Sequence, residues 1–319
     1  MLIVVWKETW KDIFPFSVLC LQYCLPFVAF QYWGGSSLPA KVMIISLLTI
    51  SMTYSVLVIG HILVHKAWFK SNTLSRITFW MCSVTTLQSM TEYRLSHVKN
   101  HHRYNNDRSI DGAEPKDMST TFLGTTNKHQ SLLDYAVKSA CSSLGSWLVA
   151  MLSVHKGWAV FNKGTKELLG KEGKTASKNK RYMQIERAIV FVHIILLVSL
   201  APSTALVYVT VSFFLTLCLV NIQNFYEHFG ALPENKYADS VSCYNKLYNF
   251  LTFNDGYHQE HHYKASTHWT KAPLIRRELD SKNQQRIVSP LPALLGMFDH
   301  ERKRLEIKYP ANTTTKNYK

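Results

Sequence analysis

The sequence IFPFSVLCLQYCLPFVAFQYW at residues 13–33, followed by GGSSLP at 34–39 and VMIISLLTISMTYSVLVIGHILV at 42–64, decides the class of fold. Neither long stretch contains Asp, Glu, Lys or Arg. About twenty apolar residues are needed for a helix to cross a bilayer. We therefore predict transmembrane helices over about 13–33 and 42–64, joined as a hairpin by the short uncharged turn.

A second apolar pair lies later in the chain and predicts a second hairpin. Its spans cover about 186–200 and 204–222, and the break between them contains Pro202. Two further apolar stretches, 77–90 and 136–154, are shorter or interrupted by polar residues. Such stretches are typical of interfacial or half-buried helices.

Lys and Arg are concentrated at the open ends of both predicted hairpins, whereas the turns contain almost none. Cytoplasmic loops carry an excess of Lys and Arg. We therefore predict cytoplasmic segments over about 94–135, 155–185 and 223–319, in a bacterial inner membrane or an equivalent one. The predicted fold is an all-α integral membrane protein with two transmembrane hairpins, interfacial helices and a histidine-rich cytoplasmic cap, in one domain over residues 1–319.

Composition excludes several classes of protein. Hydrophobic residues are 47% and aromatic residues 13% of the chain, too many for a disordered protein. The six Cys show no CxxC pair, so a disulfide scaffold is not predicted. Lys and Arg number 36 against 21 Asp and Glu, a net charge of +15, but no nucleic-acid motif accompanies them. The charge suits an anionic membrane surface or an acidic protein partner, and no nucleic-acid partner is predicted.

Nine of the 14 His fall into four clusters. The clusters are GHILVHK with His61 and His65, SHVKNHHRYNND with His97, His101 and His102, NIQNFYEHFG with His228, and GYHQEHHYK with His258, His261 and His262. All four clusters lie at predicted cytoplasmic ends of spans or in cytoplasmic segments. One such pair would mean little, but this combination predicts a metal site.

The spacing of the clusters suits metal binding, because residues i and i+4 share one face of an α-helix. His61 and His65 could offer two imidazoles to one ion, and His97 and His101 could do the same. His102 lies about a third of a turn away and could reach a second ion, and the last cluster repeats the pattern with one residue fewer. Imidazole binds Fe and Zn among other metals. Nine imidazoles therefore predict two iron or zinc ions.

Three classes of protein could use a metal site of this kind: an iron-dependent oxidoreductase, a zinc-dependent membrane hydrolase and a non-enzymatic metal transporter. A zinc-dependent membrane hydrolase needs about three His and an open position, far fewer than nine. A non-enzymatic metal transporter keeps its ligands near the bilayer midplane, whereas these His lie at one face. Iron content and metal-dependent consumption of O2 would discriminate the three classes.

The order HxxxH, HxxxHH, single His and HxxHH on two membrane hairpins resembles the membrane-bound fatty-acid desaturase/hydroxylase superfamily. The resemblance extends from His61 to Pro273. HVKNHH and NFYEHFG are similar to the alkane-hydroxylase-like branch, although Ile62 and Ser96 stand where that branch has Glu. NDGYHQEHHYKASTHW is more similar to bacterial desaturases and to decarboxylases that form terminal alkenes. The branch therefore stays open.

The resemblance implies that all nine clustered His hold two iron ions (Fe²⁺/Fe³⁺) and that O2 is a co-substrate. It implies a fatty-acyl or alkyl substrate, free or carrier-bound, that is desaturated or hydroxylated. Oxidative decarboxylation of a fatty acid to a terminal alkene is the alternative reaction. Electrons would come from a ferredoxin, a rubredoxin or a reductase, because the sequence contains no flavin, haem or Fe–S motif.

Polar residues near the clusters are candidates for supporting roles. Asn224 precedes His228 by four residues, and in some desaturases an Asn at this place contacts a metal through water. Glu227 and Glu260 are predicted either to orient a ligand imidazole or to be solvated. Asp107 and Asp111 follow the second cluster and present the same two alternatives.

Overall fold

The computed structural model describes residues 5–126, 128–282, 284 and 286–299, and most of them are helical. The α-helices, in chain order, are α1 Ile13–Trp33, α2 Leu38–Tyr54, α3 His61–His65, α4 Asn72–Thr86, α5 Met90–Arg94, α6 His102–Tyr104, α7 Leu132–Leu152, α8 Lys163–Leu169, α9 Lys174–Leu200, α10 Pro202–Val207, α11 Phe213–His228, α12 Lys246–Leu251, α13 His258–Tyr263 and α14 Ala272–Ser281. Segments of π-helix occupy Ser55–Gly60, Leu95–His101 and Tyr208–Ser212. Two short parallel strands, β1 Val241–Ser242 and β2 Ile287–Val288, pair with each other.

Five helical stretches of the described chain are long and apolar enough to cross a bilayer. They are Trp10–Trp33, Leu38–His65, Leu132–Lys156, Lys174–Leu200 and Pro202–His228. Their mean hydropathies lie between 1.3 and 2.3. The predicted class, an all-α integral membrane protein, is thereby confirmed. The number of hairpins and the cytoplasmic cap stay predictions, as does the single domain, and residues 300–319 of the predicted cap lie outside the described residues.

The stretch predicted as an interfacial helix over 136–154 differs from the expectation. The helix begins earlier, at Leu132, because the Ser131 hydroxyl accepts a hydrogen bond from the Asp134 backbone N–H. Its continuation to Lys156 gives 25 residues with a mean hydropathy of 1.3, the lowest of the five. The small polar residues that interrupt the apolar pattern do not interrupt the helix, so length and composition make it a fifth candidate span.

The break predicted at Pro202 is confirmed. α9 ends at Leu200, and Ala201 adopts φ −153° and ψ 83°. Pro202 then begins α10, where its missing backbone N–H costs nothing because the first turn of a helix has no acceptor for it. α9 itself begins at Lys174, well before the predicted residue 186.

Contacts divide the described residues into two compact units, and the first comprises residues 5–95 and 139–220. Its core is made of large apolar side chains, among them Leu48, Met52, Val190, Leu197 and Phe213. Other apolar side chains of the same helices are exposed, such as Leu21, Ile50 and Val192. Helices that are apolar on both faces are typical of a lipid environment.

Glu186 and Arg187 are charged residues inside the candidate span of α9, and both are satisfied within the first unit. The Glu186 carboxylate accepts hydrogen bonds from Ser89 Oγ at 2.6 Å and from the Thr91 backbone N–H at 2.8 Å. The Arg187 guanidinium donates to Glu92 Oε2 at 3.0 Å. These contacts fasten α5 to α9 and provide the partners that a buried charge requires.

Among the described residues, the second unit comprises 96–126, 128–138, 221–282, 284 and 286–299. Two small apolar clusters stabilise its described part: Tyr135, Phe225, Tyr226, Phe229 and Ala293 form one, and Ala231, Ala238, Val241 and Ile287 form the other. The β1–β2 pair connects the segment after α11 to the segment after α14. Seven of the nine clustered His belong to this unit.

Candidate metal centre

Four buried imidazoles converge within the second unit: His101, His228, His258 and His262. One ring nitrogen of each lies within 4.8 Å of those of the other three. His228 Nε2 is 3.2 Å from His101 Nε2 and 3.5 Å from His258 Nε2. The four rings come from a π-helix, from α11 and from α13, so the tertiary fold assembles them.

A second set of imidazoles in the same unit is half-buried. One ring nitrogen of each of His97, His102 and His261 lies within 4.8 Å of the other two, and His97 Nε2 is 3.0 Å from His102 Nε2. In the first unit, His61 and His65 on α3 place their ring centroids 5.3 Å apart. This pair has the i, i+4 geometry that the sequence predicted.

The second cluster departs from α-helical spacing. His97 and His102 share one set, whereas His101 belongs to the other. The cause is the π-helix Leu95–His101, whose wider turn brings residues i and i+5 to the same side. His97 and His101 therefore lie in different sets, unlike the α-helical expectation, and which imidazoles share one ion stays a prediction.

Hydrogen bonds fix the tautomers of two of the converging imidazoles. His101 Nδ1 lies 2.8 Å from Asp117 Oδ2, and His228 Nδ1 lies 3.1 Å from the Asp239 carbonyl oxygen. An ionised carboxylate and a carbonyl oxygen only accept hydrogen bonds, so both Nδ1 atoms carry the proton. Both Nε2 atoms consequently present lone pairs to each other.

This donor set fits a metal ion. Two lone pairs 3.2 Å apart repel each other unless a cation lies between them. Two nitrogens bound to one ion at about 2.1 Å are themselves roughly 3.0–3.4 Å apart. This range includes the 3.2 Å between His101 Nε2 and His228 Nε2, and the 3.5 Å between His228 Nε2 and His258 Nε2 lies just above it. His262 adds a further observation, because both of its ring nitrogens are buried without a hydrogen-bond partner in the described chain. Imidazole nitrogen is a ligand that iron and zinc accept.

The electrostatics around the set differ from group to group. Burial lowers the pKa of His262 well below its ordinary value, which keeps its imidazole neutral as a ligand must be. Burial raises the pKa of Asp239 to about 7, although Gln259 and Ser240 donate to this carboxyl. Burial acts in the same direction on Asp117, but His101 and Ser119 outweigh it and hold the pKa of Asp117 below its ordinary range.

The candidates for supporting roles have the following contacts. Asn224 Nδ2 donates to Tyr135 Oη at 2.6 Å and to the Ser119 carbonyl oxygen at 3.1 Å. Glu227 Oε2 lies 3.6 Å from His258 Nε2, close to one of the converging imidazoles.

Glu260 is fully buried in the middle of α13. Its carboxylate accepts hydrogen bonds from Ser242 Oγ at 2.7 Å, Tyr244 Oη at 2.6 Å and Arg286 Nη1 at 3.0 Å. These contacts anchor the short helix that carries three of the clustered His.

The two acids weighed after the second cluster lie in the loop that follows α6, where Asp107 is half-buried. Asp107 Oδ1 accepts from the Asp117 backbone N–H at 2.8 Å, so it shapes the loop that carries Asp117. Asp111 is exposed and has a left-handed φ of 52°.

Sequence reasoning missed Asp117, Ser119, Tyr135 and Asp239. The pattern Asp117-x-Ser119 is one available signal, because an Asp that accepts from the backbone N–H two residues later is typical of a turn. Nothing in the sequence shows that this turn is buried against His101.

The family model described as fatty acid desaturase matches residues 15–288. No curated protein matches the chain.

Proposed function

Because this chain belongs to the fatty acid desaturase family, we propose that it is an O2-dependent di-iron oxidoreductase that desaturates or hydroxylates a fatty-acyl or alkyl chain. Membership in the family accounts for a membrane oxidoreductase with a lipid substrate. We propose in addition that the chain holds two iron ions, that O2 is its co-substrate and that it carries out this reaction.

The observation that carries the proposal is the convergence of four buried imidazoles, two of which, His101 and His228, face each other through Nε2 at 3.2 Å. The proposal takes all nine clustered His as ligands: His61, His65, His97, His101, His102, His228, His258, His261 and His262. Nine imidazoles exceed the need of a zinc hydrolase, which uses about three. A nitrogen-rich set of this size suits two iron ions.

Bound iron supplies the activation of O2 toward an unactivated C–H bond. The protein buries His262, which lowers the pKa of its imidazole, and it orients His101 and His228 through hydrogen bonds at Nδ1. Hydroxylation consumes one O2, two electrons and two protons, and it forms one alcohol and one water. Desaturation consumes the same reactants and forms one double bond and two waters.

Oxidative decarboxylation to a terminal alkene is the alternative reaction. If the protein presents the carbon β to a substrate carboxyl, removal of hydrogen from that carbon and loss of the carboxyl group as CO2 give a terminal alkene and two waters from the same O2, electrons and protons. The position in which the protein holds the chain decides among the three products.

We further propose that an acidic electron donor, of the ferredoxin, rubredoxin or reductase class, docks on the basic segment 163–182. This segment contains seven Lys and Arg and two Glu. The first turns of α9 line an open depression of about 490 Å³ with Ser177, Lys178, Arg181, Tyr182 and Ile185. Charge complementarity of this kind accelerates association.

The test is gas chromatography–mass spectrometry of lipids and volatiles from cells that express the chain, together with the metal content of the purified protein. We expect iron in the wild type and a new alcohol or alkene, which His101→Ala should abolish. His155→Ala is the matched control, because His155 is exposed and lies outside the four clusters. Equal product from His101→Ala would contradict the site, and zinc in place of iron would contradict the reaction class.

A further inference from the structure

We propose that Asp117 is a positioning residue that fixes the orientation and tautomer of His101, and that Asn224 and Tyr135 hold Asp117 in place by clamping Ser119. The inference rests on the proposed metal site, but it requires no particular substrate or product. All of the residues that carry it belong to the second unit.

Asp117 is buried, and both of its carboxylate oxygens have hydrogen-bonding partners. Oδ2 faces His101 Nδ1 at 2.8 Å and accepts from the Asn106 backbone N–H at 2.7 Å. Oδ1 accepts from the Ser119 backbone N–H at 2.8 Å and from Ser119 Oγ at 2.7 Å. The side chain is 0% exposed, so these contacts replace water completely. A carboxylate with this many donors is held in one rotamer.

The loop that delivers Asp117 is built by local sequence. Asn105 and Asn106 have left-handed φ values of 48° and 58°, a region that Asn tolerates better than most residues. They end α6 and turn the chain so that Asn106 N–H faces Asp117. Asp107 closes the loop by accepting from the backbone N–H groups of Lys116 and Asp117.

A clamp from two helices then fixes the far side of the loop. The Ser119 carbonyl accepts from Tyr135 Oη on α7 at 2.7 Å and from Asn224 Nδ2 on α11 at 3.1 Å. Asn224 Nδ2 also donates to Tyr135 Oη at 2.6 Å. Since Asn224 precedes His228 by one helical turn, the clamp ties the helix of one converging imidazole to the loop that orients another. This role differs from the contact through water that the sequence suggested for Asn224.

The chemistry of His101 explains why a carboxylate is needed. An acceptor at Nδ1 retains the proton there and leaves Nε2 free to bind metal, and a charged acceptor also raises the basicity of Nε2. In Asp117→Asn the amide NH2 takes the place of one carboxylate oxygen. At the Oδ2 place it faces the backbone N–H of Asn106, and at the Oδ1 place it faces that of Ser119, so two donors meet in either orientation. If the NH2 faces His101, it favours the tautomer protonated at Nε2, which cannot bind the ion.

The experiment uses the full-length protein loaded with ⁵⁷Fe in detergent. Asp117→Asn is compared with Asp111→Asn, an isosteric change at an exposed position of the same loop. The measurements are iron per chain, the rate of iron loss to a chelator, the Mössbauer spectrum, and the melting temperature of the metal-free protein. We expect Asp117→Asn to weaken iron binding 10- to 100-fold and to alter the spectrum of one iron. Tyr135→Phe, which removes one donor to Ser119, should change the same quantities less.

Three results would overturn the inference. Iron binding and a spectrum equal to those of Asp111→Asn would show that Asp117 does not position a ligand. Loss of iron together with a large fall in the melting temperature of the metal-free protein would show that Asp117 only holds the loop. Wild-type protein that binds no iron would overturn the proposed function and the inference with it, whereas the first two results leave the proposed function standing.

Discussion

Replacement of Glu260 by Ala should loosen α13 and release metal from the site. Glu260 is fully buried on the helix that carries His258, His261 and His262, and it accepts three hydrogen bonds. Removing it leaves Ser242 and Tyr244 without their charged acceptor and breaks a buried ion pair with Arg286. Without this anchor, the six-residue helix cannot hold its imidazoles in register.

The magnitude follows from these contacts. Hydrogen bonds to a charged group contribute about 1.5–3 kcal/mol each. Arg286 retains contacts with Tyr244 and Asp280, so the loss is smaller than the sum of three such bonds. Breaking one partner of a buried pair costs about 3–5 kcal/mol, and we take the lower part of this range. A local loss of about 3–4 kcal/mol corresponds to a factor of two to three powers of ten in an opening equilibrium.

Hydrogen–deuterium exchange of the metal-free protein measures this opening, because the backbone N–H of His261 and Lys264 belong to the helix. We expect their exchange in Glu260→Ala to accelerate by two to three powers of ten, and the purified variant to contain less iron. Glu278→Ala is the matched control, since its pairs with Lys264 and Lys282 are in contact with solvent, which screens them, and they contribute little to stability. Equal exchange and equal iron in the two variants would refute the anchoring role of Glu260.

Three further predictions concern residues around and beyond the candidate site. Burial lowers the pKa of His129 to about 4 in the folded protein. As the pH falls, His129 is therefore protonated in the unfolded chain before it is protonated in the folded one, and the free energy of unfolding declines between pH 6.5 and 4. From pH 7 to pH 5 this single group should cost about 2 kcal/mol, and His129→Gln should flatten the pH dependence of the melting temperature; an unchanged slope would contradict this. Gly296→Ala should destabilise by about 1–3 kcal/mol, because the new Cβ would lie 2.3 Å from Tyr226 Cγ. Gly145→Ala meets nothing within 4 Å and lies inside α7, where Ala is the better helix former, so it should melt no lower than the wild type. Burial raises the pKa of Cys82 to about 12, so this thiol should resist alkylation at pH 8 until the protein is unfolded, and mass spectrometry of labelled peptides would detect any earlier reaction.

The membrane class was predictable because it depends on composition over long stretches. The uncharged sequence 13–33 coincides with α1, and the Pro202 break coincides with the boundary between α9 and α10. Helix ends were less predictable, since a cap such as that of Ser131 depends on one hydrogen bond. The start of α9 at Lys174 lies in a charged region that hydropathy alone cannot assign to a span.

The spacing of the histidines along the chain predicted which of them form the candidate site. It did not predict which of them lie together in each of the two sets. α-helical periodicity pairs His97 with His101, whereas the π-helix pairs His97 with His102. The acid that faces His101 lies 16 positions further along the chain, and only the folded loop brings it there. Tertiary contacts of this kind leave no periodic trace in a sequence.

The π-helix at Leu95–His101 limits how this site could be transferred to another scaffold. A designer who copies HVKNHH onto an ideal α-helix would preserve every residue and its spacing. The regular helix rotates each residue by about 100°, so the first and second His of the motif, rather than the first and third, would align. The graft would then place its imidazoles in the wrong sets. The scaffold would need a π-helical turn at the motif as much as it needs the histidines.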